Sequence, residues 1–221
     1  MNKLYDFLRG QKTAGLNLST VFDIGAWQGG WSRDVKSNAL TDSNFILFEA
    51  NPAYESTLAA TGFQYFRTVL SNPGRQSVDF YNGTNTGDSY YKETTAFYDN
   101  QSSISLECQT LDGIVAKHNL PIPNFIKIDT QGSELDILSG ASFLDRVDLI
   151  YTECPIICYN KGAPTIQDYL DFFRARNFVP IDIFEIHRGE ETLMQIDIMF
   201  MRAEAKQQFL SPNVMIRPLV S

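Results

Sequence analysis

Val21-Phe22-Asp23-Ile24-Gly25-Ala26-Trp27-Gln28-Gly29-Gly30-Trp31 is the stretch on which the fold turns. Val21, Phe22 and Ile24 are strand formers suited to the middle of a sheet. Gly25 and Gly29 let the backbone turn sharply and approach a ligand closely. Residues 31–39 can then coil into a helix. A strand, a glycine turn and a helix start aim free N–H groups and the positive end of a helix dipole at a bound group. Asp23 adds a carboxylate at the strand tip, the edge where doubly wound sheets bind ligands.

Working outward, Leu4, Phe7 and Leu8 share one face of a short helix over residues 2–11, expected to pack on the sheet edge within an N-terminal helical segment 1–18. Phe45-Ile46-Leu47-Phe48 is a second buried strand, ending in Glu49. Asn51-Pro52 opens a helix over 53–60, and residues 65–70 make a third strand. Ser71-Asn72-Pro73-Gly74 reads as a turn. Strands over 77–81 and 104–110 then flank a polar, aromatic segment, 82–103, expected to be a lid over the acceptor. A helix over 111–117 follows. The central sheet resumes with 125–128, which ends in Asp129, a helix over 132–138, and a strand over 147–152, which ends in Glu153. Past a loop at 154–164, a helix over 166–176 leads to two strands, 178–186 and 193–201. Their short turn at Arg188-Gly189-Glu190 makes that pair antiparallel. The tail from Lys206 carries no strong signal.

The 221 residues suit a single domain spanning 1–221, and 43% hydrophobic residues suffice for a full core. A formal net charge of -8 argues against nucleic acid as a partner and favours a cationic ligand. No apolar run is long enough to span a membrane, and no signal peptide is evident, so the expected location is the cytoplasm. Cys108, Cys154 and Cys158 make an odd count, which speaks against a disulfide framework. Cys154 and Cys158 read as buried thiols, and no metal site is assigned.

Asp23, Glu49, Asp129 and Glu153 all end inferred central strands, so they border one crevice. A backbone cradle with Glu49 suits a nucleoside, the carboxylate accepting from two ribose hydroxyls. The pattern Asp-x-Gly-Ala-x-x-Gly departs from the dinucleotide fingerprint and sets an acid where a pyrophosphate would be repelled. A sulfonium zwitterion, S-adenosylmethionine (SAM), fits an acid-lined crevice better. The antiparallel C-terminal pair points the same way, because class I methyltransferases end their sheet so.

Val21-Phe22-Asp23-Ile24-Gly25-Ala26, Phe48-Glu49-Ala50-Asn51-Pro52 and Ile126-Lys127-Ile128-Asp129-Thr130-Gln131-Gly132-Ser133-Glu134 resemble the signatures of FkbM-type SAM-dependent methyltransferases. Leu138-Ser139-Gly140-Ala141 and the run around Tyr151-Thr152-Glu153 fit as well. The resemblance implies an α/β, Rossmann-like class I methyltransferase fold. Its seven-stranded sheet is mostly parallel with one antiparallel strand, and a small β/loop insertion follows the third strand. It also implies O-methylation of a sugar, glycan or natural-product hydroxyl.

On this reading Asp23 and the backbone of Gly25, Ala26, Trp27, Gln28 and Gly29 hold the amino-acid end of SAM. Glu49, with Ala50 beside it, takes the ribose, while Leu70 and Ser71 touch adenine. Asp129 lies at both the cofactor and the acceptor, and is the first candidate to take the hydroxyl proton. Glu153 is a second catalytic candidate, and a divalent cation shared with Asp129 is possible but not favoured. His187 is a candidate general base. Trp27 stands where the family commonly has Asn, and its side chain is expected to turn away from the cofactor. Gln131 stands where many members carry Glu. A nicotinamide-dependent oxidoreductase and a non-catalytic binding module of the same fold are the alternatives.

Overall fold

The computed structural model describes residues 2–82, 87–95 and 102–209. In chain order the elements are α1 (Asn2–Thr13), β1 (Thr20–Ile24), α2 (Gly30–Asn38), β2 (Asn44–Glu49), α3 (Glu55–Ala59), β3 (Gln64–Arg67), β4 (Val69–Leu70), β5 (Ser77–Asn82) and β6 (Ser102–Gln109). They continue with α4 (Leu111–His118), β7 (Phe125–Ile128), α5 (Glu134–Ser139), β8 (Leu149–Pro155), α6 (Ile166–Arg174), β9 (Phe178–Gly189), β10 (Thr192–Arg202) and α7 (Ala203–Phe209).

A seven-stranded sheet runs in the order β3-β2-β1-β7-β8-β10-β9. The pairs β1/β2, β1/β7, β2/β3 and β7/β8 are parallel. β10 runs antiparallel to both β8 and β9, as the short turn between the last two strands requires. The order reverses at β1/β7, so a crevice opens outside the C-terminal ends of those strands. A second sheet, β4-β6-β5, is the insertion after the third strand. This is the sheet topology that the resemblance implies.

Both faces of the large sheet are covered. On one, Leu4 and Leu8 of α1, Val35 of α2 and Leu58 of α3 pack on Val21, Phe45, Phe125, Leu149 and Met199. On the other, Leu111 and Ile114 of α4, Ile137 and Leu138 of α5 and Tyr169 and Phe173 of α6 pack on Phe22, Ile46, Ile126, Ile150 and Phe200. The strands are therefore apolar on both sides, as buried parallel strands must be. Thr165 and Asp168 form a reciprocal capping box that fixes the start of α6. Among the described residues, no helix is long and apolar enough to cross a membrane.

The structure departs from the sequence reading at several places. The N-terminal segment 1–18 is helical only to Thr13, because Gly15, at φ 100°, turns the chain. α1 lies across a sheet face and reaches the edge strand through Phe7 on Phe184 and through Lys3 on Asp182, the Ile183 carbonyl and the Phe184 ring. The third strand, 65–70, is two: β2 stops at Glu49, so after Thr68 the chain leaves it and Val69 and Leu70 pair with Cys108 and Gln109. α7 occupies part of the tail read as signal-free. Cys158 is exposed, and only Cys154 is a buried thiol.

Phe173 is the tightest contact between α6 and the sheet: it stacks on Phe200 at 4.0 Å and meets Phe178 edge-on at 6.0 Å. Phe173→Ala should lower the unfolding free energy by about 3–5 kcal/mol. Urea titration should show a lower midpoint with an unchanged slope.

Candidate active site

The floor of the crevice is a buried ion pair. Asp23 is fully buried in β1; its Oδ2 accepts from Ser32 Oγ at 2.6 Å, and its Oδ1 lies 3.3 Å from Lys127 Nζ. Lys127, from β7, also donates to the Gly25 carbonyl at 2.9 Å and stands 3.7 Å from Asp129 Oδ2. Burial works against the Lys127 charge, but Asp23 and Asp129 outweigh it and hold the amine above its ordinary value. Burial pushes the Asp23 carboxyl up, against the pull of Lys127 and Ser32.

Above this floor the glycine loop is tied to β2, with Gly25 and Ala26 N–H both donating to the Phe48 carbonyl. A side chain at Gly25 has no room: its Cβ would stand 1.8 Å from the Asp129 carbonyl oxygen, and its φ is +73°. Gly29, at φ +70°, is tight for another reason, since a Cβ would meet Thr61, Leu47 and Leu58.

Glu49 ends β2 and closes one end of the cleft. Its two oxygens accept from Trp27 N–H at 2.7 Å and Asn51 N–H at 2.8 Å. Burial pushes its carboxyl up to about 7, in spite of these donors. Ala50, Val69, Leu70 and Phe80 add an apolar wall beside it. Trp27 has φ 49°, a conformation Asn tolerates and an indole resists. Its backbone stays in the loop, while its half-exposed indole sits edge-on to Tyr54 at 6.2 Å and lines the cleft.

Residues 87–95 bridge the cleft. Asp88 accepts from Asn51 Nδ2 at 2.6 Å, and Ser89 and Tyr81 exchange backbone hydrogen bonds. Tyr90 reaches Ser71 Oγ and Asp136. Farther on, Thr94 N–H donates to the Tyr159 carbonyl, and Lys161 N–H to that of Lys92. Of the lid expected at 82–103, residues 82, 102 and 103 belong to strands β5 and β6, and Asp88, Ser89 and Tyr90 line the Glu49 end. Phe97 and Tyr98 lie outside the described residues.

The other end is acidic. Asp129, at the end of β7, is the exposed member, with its side chain 41% accessible. Gln131 Nε2 donates to Asp129 Oδ1 at 3.0 Å and to Glu153 Oε1 at 3.3 Å, so a neutral amide sits between two acids. Burial, then Asp129 and Asp197, push the Glu153 carboxyl well above its ordinary value. His187 Nε2 stands 3.3 Å from Asp197 Oδ1 and 3.9 Å from Glu185 Oε2. Burial first, then Asp129, push Asp197 up to about 6. Glu134 faces away: its carboxylate accepts from Thr130 and Gly132 N–H and from Tyr169, fixing the turn before α5.

Thus Gly25, Ala26, Trp27, Glu49, Ala50, Leu70, Asp129, Glu153 and His187 share one cleft of about 440 Å³. Asp23, Gln28, Gly29 and Ser71 do not line it. Asp23 lies beneath the loop with Lys127, Gly29 packs on α3, and Ser71 is buried against Tyr90. Sequence reasoning missed Lys127 and Asp197. Lys127 was legible as a lone cation inside an apolar strand, whereas Asp197 had no local signal.

A sequence model of the methyltransferase FkbM domain matches residues 23–180. The chain belongs to the FkbM methyltransferase family. The FkbM match spans the cradle, Glu49, Asp129 and Glu153, and leaves Glu185, His187 and Asp197 beyond its end. It sets the nicotinamide reading aside. Comparison with individual curated proteins gave no match. Among solved structures, a candidate sarcosine dimethylglycine methyltransferase from Galdieria sulphuraria aligns with TM-score 0.50 and 8% identity, over 92% of this chain and 85% of that one. That likeness speaks to the fold alone. Precorrin-6y C5,15-methyltransferase from Geobacter metallireducens aligns at TM-score 0.47 and 11% identity, over 90% and 87% of the two chains. Magnesium protoporphyrin IX methyltransferase from Synechocystis, solved with bound SAM, gives 0.47 and 11%, over 91% and 77%.

Lys127→Met should leave Asp23 buried without its counter-charge, costing about 3–5 kcal/mol at neutral pH. The Asp23 carboxyl is then pushed further above its unfolded value. The loss should therefore shrink as pH falls toward about 4, where unfolded Asp also takes a proton. Denaturant titrations of both proteins at several pH values check the magnitude and the sign.

Proposed function

We propose that this FkbM domain is a SAM-dependent O-methyltransferase acting on a hydroxyl of a glycan or another small polar acceptor. The observation that carries the reading is the continuous cleft from Glu49 and its apolar wall, past the glycine loop, to Asp129. Its volume, about 440 Å³, suits a ligand of nucleoside size or somewhat larger.

The residues present fit SAM. Each Glu49 oxygen uses one lone pair on a backbone N–H and keeps another for a ribose hydroxyl. Val69, Leu70 and Phe80 offer an apolar slot to the purine. Gly30 and Trp31, at the start of α2, line the cleft where a dipole favours an anionic carboxylate. The acids beyond Asp129 suit a positive sulfur and disfavour a phosphorylated or carboxylated acceptor. When bound, SAM supplies a methyl group already activated by that sulfur. The chain's own part is alignment and exclusion of water. Lys127 and the Gly25 carbonyl hold the loop, the 87–95 segment covers the Glu49 end, and the exposed Asp129 carboxylate takes the acceptor proton.

Calorimetric titration with SAM should give saturable binding; absence of binding at millimolar SAM to demonstrably folded protein would sink the proposal. Glu49→Ala should weaken binding about ten- to a hundredfold, the worth of hydrogen bonds to a charged group. Because ribose hydroxyls must donate to ionised Glu49, whose carboxyl is held up to about 7, affinity should fall as pH is lowered through that value. The limit is about tenfold per pH unit, and Glu49→Gln should flatten this dependence.

A further inference from the structure

We propose that Glu153, His187 and Asp197 form a binding site for a divalent cation of the Mn²⁺ or Zn²⁺ type at the acid end of the cleft. Each offers one donor atom, and the three atoms lie within 4.8 Å of one another. They come from three adjacent strands. Asp197 of β10 pairs in register with Glu153 of β8, and His187 of β9 lies opposite Gln195, two residues before Asp197. The sheet itself, rather than a loop, thus fixes the spacing.

Two further observations point to a cation at this cluster. His187 Nε2 and Asp197 Oδ1 are shielded from solvent and face each other at 3.3 Å, yet neither makes a hydrogen bond among the described residues. The other carboxylate oxygens are held from behind by neutral donors. Tyr151 donates to Asp197 Oδ2 at 2.9 Å, Gln195 Nε2 to Glu153 Oε2, and Gln131 Nε2 to Glu153 Oε1 at 3.3 Å, while the Tyr159 hydroxyl, whose hydrogen goes to Gln195 Oε1, stands 3.1 Å from Glu153 Oε1. That is the outer support that orients metal-binding carboxylates, with Glu153 Oε2 and Asp197 Oδ1 each keeping a lone pair for the ion. The amine in the same cleft, Lys127, is engaged by Asp23, Asp129 and the Gly25 carbonyl.

One imidazole nitrogen and two carboxylates suit a borderline ion better than Ca²⁺. Metal–donor bonds of about 2.0–2.2 Å need the widest pair to draw in slightly, within the reach of a side-chain rotation. Three protein donors leave positions open toward the cleft, the arrangement of a catalytic rather than a structural site. The ion's role rests on the proposed methyl transfer; its binding does not. An acceptor hydroxyl on the open face would be made more acidic. Its proton passes to the Asp129 carboxylate, and its oxygen forms the new O–C bond. The C–S bond of SAM breaks as that bond forms, and the electron pair goes to sulfur.

The test is titration of the metal-free full chain with Mn²⁺, followed by electron paramagnetic resonance of the free ion, and with Zn²⁺ by calorimetry. The expected result is one saturable site, weakened at least a hundredfold by His187→Ala or Asp197→Asn. Tyr151→Phe should weaken it about ten- to a hundredfold through lost carboxylate orientation. The His187 side chain is 42% exposed on an edge strand, so His187→Ala should fold even where Asp197→Asn does not. No saturable binding of either ion at millimolar concentration overturns the proposal, as does binding that His187→Ala leaves unchanged. SAM titration of the same protein separates the two readings. Metal binding without SAM binding sustains the site and sinks the proposed reaction, whereas SAM binding without metal binding overturns the site alone.

Discussion

The pairing of Asp23 with Lys127 beneath the glycine loop is the interaction on which the rest of the site depends. Neither charge reaches solvent to any extent, so each is tolerable only beside the other. The pair joins β1 to β7, the two strands between which the order of the sheet reverses. Lys127 also donates a hydrogen bond to the Gly25 carbonyl, and Gly25 is pressed against the Asp129 carbonyl so closely that no side chain fits. One ion pair thereby fixes the height of the loop, the position of Asp129 and the depth of the cleft.

From that floor the cleft divides by chemistry. At one end Glu49, with Asp88 nearby, is held by two backbone N–H groups beside an apolar wall. At the other, Glu153, Glu185 and Asp197 stand around one imidazole, with Asp129 lining the same end. Their mutual repulsion, added to burial, raises Glu153 and Asp197. A site of this kind welcomes positive charge and rejects anions. Gln131 illustrates the balance: as an amide it donates to two acids at once, where a Glu would have added another carboxylate to the same crowd.

Much of this was legible in the chain. The apolar runs ending in Asp23, Glu49, Asp129 and Glu153 gave the central strands, because a strand buried on both faces must be apolar throughout. The short turn between two long strands made the final pair antiparallel. Less legible were features whose cause is a distant neighbour. The third strand breaks because β2 runs out of residues to pair with, and Gly29 is small because Thr61, just past α3, and Leu47 of β2 crowd it. Ser71 looked free as part of a turn, but Tyr90 covers it.

The sequence by itself determined the order of the elements, the family and the acids at the strand ends, because those follow from local periodicity and from motifs a few residues long. Only the tertiary structure decided which of those acids face the cleft. Asp23 and Glu49 occupy similar positions in the sequence, yet one is turned down onto Lys127 and the other toward the cleft. Nor could spacing along the chain unite Glu153 with His187 and Asp197. Their proximity comes from the antiparallel register of β8, β9 and β10, and register belongs to the sheet rather than to any one strand.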